Sequence, residues 1–379
     1  MKKSIVSSLF WLLCVTLSAA AQPTLKGRFI DVATGNPISD VEVQIYVGCV
    51  ASVINPIPGS KIVTALSAAD GQFFLKGESP TSGCTAAPLQ ASYSIKKTGY
   101  SFQAQGNTLP YETFTQDFKE IRGTTLPKMV ALNAASYVGA GDIDNPDFRR
   151  LGLPQTITAI FGSNLATNTL AAGATPLPTT LANRRVTISD GTGVERPAPL
   201  LYVSPTQINC IIPTGLTSGW QIVRLYDETR PIAVSFAATT VPLGGYFSFN
   251  GTGRGVAAGF ITRVKPGNVQ SVEPIARYDD NLKKFVPVPI DFGADTDRIF
   301  LTIFGTGFRS IPQSSFFATI GGTSANVTYA GPQPSFAGLD QVNLEIPRSL
   351  KGRGDALVRI DYGFEGNLYS PNVLTVNFR

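Results

Sequence analysis

The chain has no histidine among its 379 residues. This absence excludes Ser-His-Asp and Cys-His catalytic groups, zinc sites with histidine ligands and histidine general bases. Charged residues are also few, at 15% of the chain, against about 25% in an average soluble domain. The basic residues occur singly or in isolated pairs, whereas nucleic-acid binding needs clustered Lys and Arg with interleaved aromatic residues. The sequence therefore predicts no nucleic-acid partner.

Long hydrophobic runs are scarce as well. Residues 1–21 combine two early lysines with an apolar stretch and three final alanines, a pattern typical of a secretory signal peptide that is cleaved before Gln22. Beyond it, no apolar run reaches the about 20 residues of a transmembrane helix. We therefore predict a secreted, periplasmic or cell-surface protein, exported by a Sec-type signal, with no transmembrane segment after cleavage.

Cysteine is rare, with four in the whole chain. Cys14 lies in the predicted signal peptide. Cys49 and Cys84 lie in one N-terminal segment, and an oxidising compartment favours a disulfide between them. Cys210 lies in an apolar, strand-like run, which predicts a buried thiol, because no imidazole is available to activate it.

The abundant residues predict turn-rich β structure. The chain has 37 Gly and 27 Pro. Short segments such as Val41–Val47 alternate apolar and polar residues, the period of a strand with one buried face. Gly, Asn and Asp between these segments tolerate the backbone angles of tight turns. We therefore predict an all-β chain.

The first third of the mature chain carries motifs in the order expected of a known module. They lie at residues 27–31, 34–38, 41–43, 70–73 and 97–100. In these residues the segment resembles the carboxypeptidase regulatory-like, or Cna-B-type, transthyretin-like domain. The resemblance implies a β-sandwich that acts as a spacer or adhesion unit and is not itself catalytic.

The rest of the chain contains an internal repeat. Residues 160–165 (IFGSNL) return as residues 303–308 (IFGTGF), and a Gln-Ile-Asn strand at 207–209 returns as Gln-Val-Asn at 341–343. A proline follows each of these strands, and the order of the motifs is kept. Self-similarity of this kind predicts two related units. Their strand spacing is immunoglobulin-like.

Longer sequence runs in this part of the chain indicate a resemblance to a known family. They lie at residues 134–136, 161–165, 198–209, 304–307, 321–322, 329–331 and 338–343. From about Leu132 to the end, the chain is similar to the Solibacter uncharacterised C-terminal domain family, and each half is similar to IPT/TIG immunoglobulin-like domains. The resemblance implies export and repeated β-sandwiches, and the family carries no established activity.

These patterns predict a multi-domain fold of β-sandwiches, a transthyretin-like domain followed by two immunoglobulin-like units. The predicted segments are a signal peptide at 1–21, a carboxypeptidase regulatory-like sandwich at 22–130, a linker at 131–150, a first immunoglobulin/TIG-like unit at 151–241, a Gly-rich β insertion at 242–295 and a second unit at 296–379.

Few residues suggest chemistry. The sequence predicts no catalytic, cofactor-binding or metal-ligating residue, and no cofactor. Acidic loops at residues 142–147 and 291–297 could offer oxygen ligands to Ca²⁺, but their spacing does not fit an EF-hand, and polar turns explain them better. Tyr246, Phe247 and Phe249 are possible ligand-contacting aromatics that could stack on a sugar, although core packing is the default for such residues.

We therefore expect a protein that is not an enzyme, an exported spacer, adhesion or protein-interaction module of the cell envelope or extracellular space. Its predicted partner is an unknown envelope protein or a polysaccharide. The alternative is a polysaccharide-binding accessory protein. A third possibility, less favoured, is a glycoside hydrolase, because two carboxylates suffice for that reaction without histidine. The sequence leaves open the ligand, the oligomeric state and the location within the envelope.

Overall fold

The computed structural model describes residues 22–48, 61–78, 90–102, 109–110, 115–127, 129–137, 151–173, 175–217, 219–239 and 244–379. These ranges consist of strands, turns and three 3₁₀ turns, at Pro266–Asn268, Gln313–Ser315 and Arg348–Leu350. The predicted all-β fold is confirmed. The signal segment, Cys49, Cys84 and the acidic loop at 142–147 lie outside the described residues.

The chain divides into two compact units, residues 1–123 and 124–379. In the described part of the chain, no helix has the length and apolar character that crossing a membrane requires.

The first unit is a sandwich of two four-stranded sheets. Its strands are β1 (Thr24–Asp31), β2 (Glu42–Gly48), β3 (Lys61–Leu66), β4 (Gln72–Lys76), β5 (Gln90–Lys96), β6 (Ser101–Phe102), β7 (Leu109–Pro110) and β8 (Thr115–Thr124). The sheets have the orders β4-β1-β8-β6 and β3-β2-β5-β7. In β4, Phe73 and Leu75 are buried while their neighbours are exposed, so the alternation of apolar residues selects the face that enters the core.

The second unit begins with a sandwich of two five-stranded sheets. Its strands are β9 (Val130–Asn133), β10 (Ile157–Phe161), β11 (Leu170–Ala171), β12 (Thr180–Leu181), β13 (Arg184–Ser189), β14 (Glu195–Pro197), β15 (Leu200–Val203), β16 (Gln207–Ile211), β17 (Gly219–Asp227) and β18 (Arg230–Thr239). One sheet has the order β11-β15-β16-β10-β9, and the other has β12-β13-β17-β18 with β14 beside β13.

A second sandwich completes this unit. Its strands are β19 (Gly245–Tyr246), β20 (Gly259–Lys265), β21 (Val269–Pro274), β22 (Ala276–Asp279), β23 (Lys284–Pro287), β24 (Arg298–Thr306), β25 (Phe316–Ile320), β26 (Thr323–Pro332), β27 (Asp340–Glu345), β28 (Gly354–Phe364), β29 (Asn367–Tyr369) and β30 (Leu374–Phe378). The start of β26 pairs with β25 and its remainder pairs with β27, so this strand joins the two layers. Both layers contribute to one apolar core.

The repeat in the sequence reappears as two ladders with the same register. In each copy the Phe of the Phe-Gly pair lies opposite the Gln of the Gln-φ-Asn strand, and the Asn lies opposite a Tyr. The pairs are Phe161–Gln207 and Tyr202–Asn209 in the first copy, and Phe304–Gln341 and Tyr329–Asn343 in the second. A β-bulge precedes that Tyr in both copies. The recurring residues therefore set strand register, which is an architectural task.

Two of the predicted segments contribute strands to the sandwiches of the second unit. Strand β9 pairs with β10, and Met129 lies in the core of the first sandwich of the second unit, so the predicted linker at 131–150 begins inside a strand. The predicted insertion at 242–295 supplies strands β19, β20 and β21 to the ten-stranded sheet of the second sandwich. Apolar residues on these segments bury a face against the neighbouring sheet, which local composition alone does not reveal.

Candidate functional site

The aromatic residues proposed for ligand stacking occupy different environments. Tyr246 is only 1% exposed and lies in the core of the second sandwich, with its ring centroid 5.4 Å from that of Phe308. A ring without surface cannot stack on a sugar, so the structure removes Tyr246 from the candidate site. Phe249 is partly buried against the same core and stacks on Phe285 at 5.1 Å. Phe247 is half-buried.

A single asparagine holds Tyr246 in place. The Asn372 side-chain oxygen accepts a hydrogen bond from the Tyr246 N–H at 2.9 Å, and its amide donates to the Tyr246 carbonyl at 2.7 Å. Strand β19 also pairs with β24 at this point. Because Asn372 is 126 positions away in the chain, no local pattern could have shown that Tyr246 is clamped into the core.

The hydroxyls of two buried tyrosines predict opposite mutational effects. The Tyr246 hydroxyl has no hydrogen-bond partner among the described residues, whereas the Tyr362 hydroxyl accepts from the Gly244 N–H at 2.8 Å. Burial raises the pKa of Tyr362 to about 12. We expect Tyr246→Phe to leave the free energy of unfolding unchanged or higher, and Tyr362→Phe to lower it by about 1–2 kcal/mol. Urea unfolding measures the free energy of unfolding of both variants. Equal losses in the two variants would contradict the assignment of a hydrogen bond to the Tyr362 hydroxyl and of none, among the described residues, to the Tyr246 hydroxyl.

The acidic loop at 291–297 is engaged by arginines. Each of its three carboxylates forms an ion pair: Arg263 with Asp297 at 3.4 Å, Arg348 with Asp295 at 2.8 Å, and Arg379 with Asp291. Within the described ranges, no group of three or more side chains is arranged to hold a metal ion. The guanidinium groups of Arg263, Arg348 and Arg379 tie the loop to three separate parts of the fold.

Arg263 is the central residue of this network. It is 6% exposed and donates two hydrogen bonds to the Glu273 carboxylate, from Nε at 2.6 Å and from Nη2 at 2.9 Å. Nη2 also donates to the Asp291 carbonyl at 2.6 Å. The hydrogen bonds from Arg263 lower the pKa of Glu273. Such bidentate geometry suits a fixed structural link.

Two further carboxylates, those of Asp190 and Asp340, are buried. Asp340 accepts hydrogen bonds from the Phe308 N–H at 3.0 Å and from Arg309 Nε at 2.8 Å, and burial raises its pKa. Asp190 accepts from the Thr192 hydroxyl and from the Thr217 N–H, and these bonds lower its pKa. Glycoside hydrolysis needs two carboxyl groups that face the same scissile bond. Asp190 instead binds the Thr217 N–H, 27 positions away, and Asp340 binds the Phe308 N–H, 32 positions away, so both carboxylates tie distant loops together.

Cys210 is a free thiol that is fully buried in the core of the first sandwich of the second unit. Burial raises its pKa to about 12. A thiol with this pKa is protonated at neutral pH and is a poor nucleophile. The prediction of a buried thiol is therefore confirmed.

The two sandwiches of the second unit meet at a closely packed junction. Thr306, at the end of β24, is fully buried; its hydroxyl accepts from the Ile157 N–H at 2.9 Å and donates to the Gly338 carbonyl at 2.7 Å. A Cβ at Gly338 would lie 2.7 Å from Ile157, and one at Gly245 would lie 2.6 Å from the Asn133 side-chain oxygen. Glycine therefore permits the close approach of the two sandwiches.

No family model matches the chain, and no curated protein does either. Among solved structures, one similar chain is described as "Structure of the Streptococcal ancillary pilin", with 11% sequence identity, coverage of 59% of this chain and 64% of that chain, and a TM-score of 0.19. A superposition with so low a TM-score assigns neither a fold nor a function. The family resemblances of the sequence remain predictions.

Proposed function

We propose that this chain is an exported, non-catalytic β-sandwich protein that acts as a rigid spacer and contact module in the cell envelope or outside the cell. The junction around Thr306 carries the proposal. There the Thr306 hydroxyl of the second sandwich accepts a hydrogen bond from the Ile157 N–H of the first and donates one to the Gly338 carbonyl of its own sandwich, which supports a fixed connection between the two. A spacer needs such a connection, because flexible connections between domains would leave the distance between its ends undefined.

The recurring motifs support the same proposal. Gln207 donates to the side-chain oxygen of Asn209 at 2.9 Å, and Gln341 donates to that of Asn343 at 3.3 Å. In both copies these polar residues are two positions apart on the same strand and therefore share one face of the sheet. In addition, Arg263 and its partners are engaged in holding loops together. The recurring residues of the sequence thus stabilise the fold, which suits a protein without a reaction centre.

The two other candidates differ in their support. The polysaccharide-binding protein loses Tyr246 as a contact because that ring is buried. A glycoside hydrolase would require a pair of carboxyl groups about 5–9.5 Å apart across a sugar site, whereas the buried Asp190 and Asp340 bind main-chain N–H groups of distant loops. A release of reducing sugars from purified protein that disappears on changing one Asp or Glu would favour the hydrolase.

Export can be tested on the full chain with a C-terminal tag. Cells are fractionated, and the intact mass of the protein is measured before and after reduction. We expect the protein outside the cytoplasm, beginning at Gln22, with a mass two hydrogens higher after reduction of a Cys49–Cys84 disulfide. Protein found only in the cytoplasm with residues 1–21 attached would overturn the export proposal. An unchanged mass after reduction would reject the disulfide. Export would then be judged from the cell fractionation alone.

A further inference from the structure

An open groove lies on the outer side of the second sandwich, where β25 and β26 diverge. These strands pair only from Ala318–Ala325 to Ile320–Thr323, and β26 then turns away to pair with β27. The space that this divergence leaves has a volume of about 890 Å³. The Gln313 amide donates to the Val327 carbonyl at 3.1 Å and so ties the 3₁₀ turn before β25 to β26. The groove therefore has walls fixed by secondary structure.

The lining of this groove combines one exposed aromatic ring with uncharged polar groups. Phe317 is 61% exposed, although the strand that carries it also buries Phe316 and Ala318 in the core. The polar side chains that line the groove are Gln313, Ser314, Thr319, Ser324 and Asn326. None of the lining residues is charged. Other exposed aromatic residues, such as Phe74, do not line this groove. Phe317 is therefore distinguished by being exposed next to uncharged polar side chains, and not by its exposure alone.

We propose that this groove binds a neutral sugar chain, with Phe317 as the stacking residue. The face of a phenyl ring is apolar and can pack against the C–H face of a pyranose. Amide and hydroxyl side chains both donate and accept hydrogen bonds, which matches the hydroxyls around a sugar ring. The volume lies within the about 300–1,000 Å³ that small-molecule sites occupy. An exposed aromatic ring beside uncharged polar side chains is the combination of contacts that a neutral sugar requires.

The charges beside the groove also favour a neutral ligand. Anionic groups are recognised by Arg and Lys, preferably with free guanidinium forks. On β28, Asp361 and Arg359 lie opposite Phe317 and Thr319, but they form an ion pair with each other at 3.0 Å. Arg359 also donates to the Ser370 hydroxyl at 3.0 Å. Its guanidinium is therefore already engaged, which disfavours a uronic acid or phosphate at this place.

Affinity gel electrophoresis of the full exported protein tests the proposal. Native gels contain one neutral polysaccharide each, namely mixed-linkage β-glucan, xyloglucan or galactomannan, and a further gel contains anionic polygalacturonate. We expect retardation in at least one neutral gel and none in polygalacturonate. Phe317→Ala should weaken that binding about tenfold, because it removes the stacking surface. Its thermal unfolding should be unchanged, since the ring lies outside the core.

Leu357 provides a matched control. It is 60% exposed on the same face of the neighbouring strand β28, but it does not line the groove. Leu357→Ala should therefore bind as the wild type does. The proposal is overturned if no neutral gel retards the protein, if only polygalacturonate does, or if Phe317→Ala binds as tightly as the wild type. Each of these results leaves the spacer proposal intact, since that proposal rests on the junction at Thr306.

Discussion

Arg263→Met should lower the free energy of unfolding by about 3 kcal/mol or more. The side chains of Arg263 and Asp297 are each 7% exposed. Methionine keeps much of the buried volume but removes the guanidinium, which leaves Asp297 as a buried charge without its partner. Breaking such a pair by removing one member costs about 3–5 kcal/mol. Urea unfolding of the full chain, followed by tryptophan fluorescence and circular dichroism, measures the loss.

Arg277→Met is the matched control. Arg277 lies in β22, in the same part of the chain, and forms an ion pair with Asp279 at 3.6 Å, but its side chain is 64% exposed. Exposed ion pairs contribute about 0–1 kcal/mol, so this variant should be close to the wild type. Equal losses in the two variants would show that Arg263 acts through general surface charge, against the structural role assigned to it.

The effect of Arg263→Met should depend on pH. Arg263 lowers the pKa of Glu273 below its ordinary value of 4.5. The stabilisation that this shift represents is fully present above pH 4.5 and is lost as the pH falls through the lowered pKa of the folded state. The stability gap between wild type and variant should therefore narrow in acid. Adding Asp297→Asn to the variant should recover part of the loss at neutral pH, because it removes the unpaired charge.

Thr306→Val should lower the free energy of unfolding by about 2–4 kcal/mol. Valine has nearly the shape of threonine, so packing is kept while the hydroxyl is lost. The Ile157 N–H and the Gly338 carbonyl would each lose their bond to Thr306 in the junction between the sandwiches. Each buried polar group left unpaired costs about 1–3 kcal/mol. The loss is measured by urea unfolding at neutral pH.

Two other variants separate the hydroxyl from the rest of the side chain. Thr306→Ser keeps the hydroxyl and should retain most of the stability. Thr375→Val, at a half-buried strand position of the same sandwich, should change it by less than about 0.5 kcal/mol, because threonine and valine both suit strands. If Thr306→Ser were as destabilised as Thr306→Val, the hydrogen bonds would not be the source of the effect.

Alternation of apolar residues was enough to predict many strands. The predicted alternating segment Val41–Val47 is observed as strand β2 at Glu42–Gly48. The period-2 pattern works here because Val43 and Ile45 enter the core while Gln44 between them is only partly buried. Strand β8 was not predicted, since its residues are largely polar and it is held by parallel pairing with β1. Such long-range pairing leaves no local pattern.

The candidate site was harder to predict. Tyr246 and Phe317 are both aromatic residues next to another aromatic in the sequence, yet one is buried and the other is 61% exposed. Their environments depend on distant partners, Asn372 for Tyr246 and the divergence of β25 from β26 for Phe317. The role of Thr306 was equally hidden: the sequence places it in a repeated motif, but only the packing of the two sandwiches shows what its hydroxyl binds.

The rigidity of the second unit is the property on which the spacer proposal depends. Spin labels on non-canonical amino acids at Leu170 in β11 and Leu357 in β28 would place one label on each sandwich, at exposed strand positions, without using the cysteines. Double electron–electron resonance then gives the distribution of distances between them. The account predicts a single narrow distribution. A broad distribution, or one with several distances, would show that the sandwiches move independently and would contradict it.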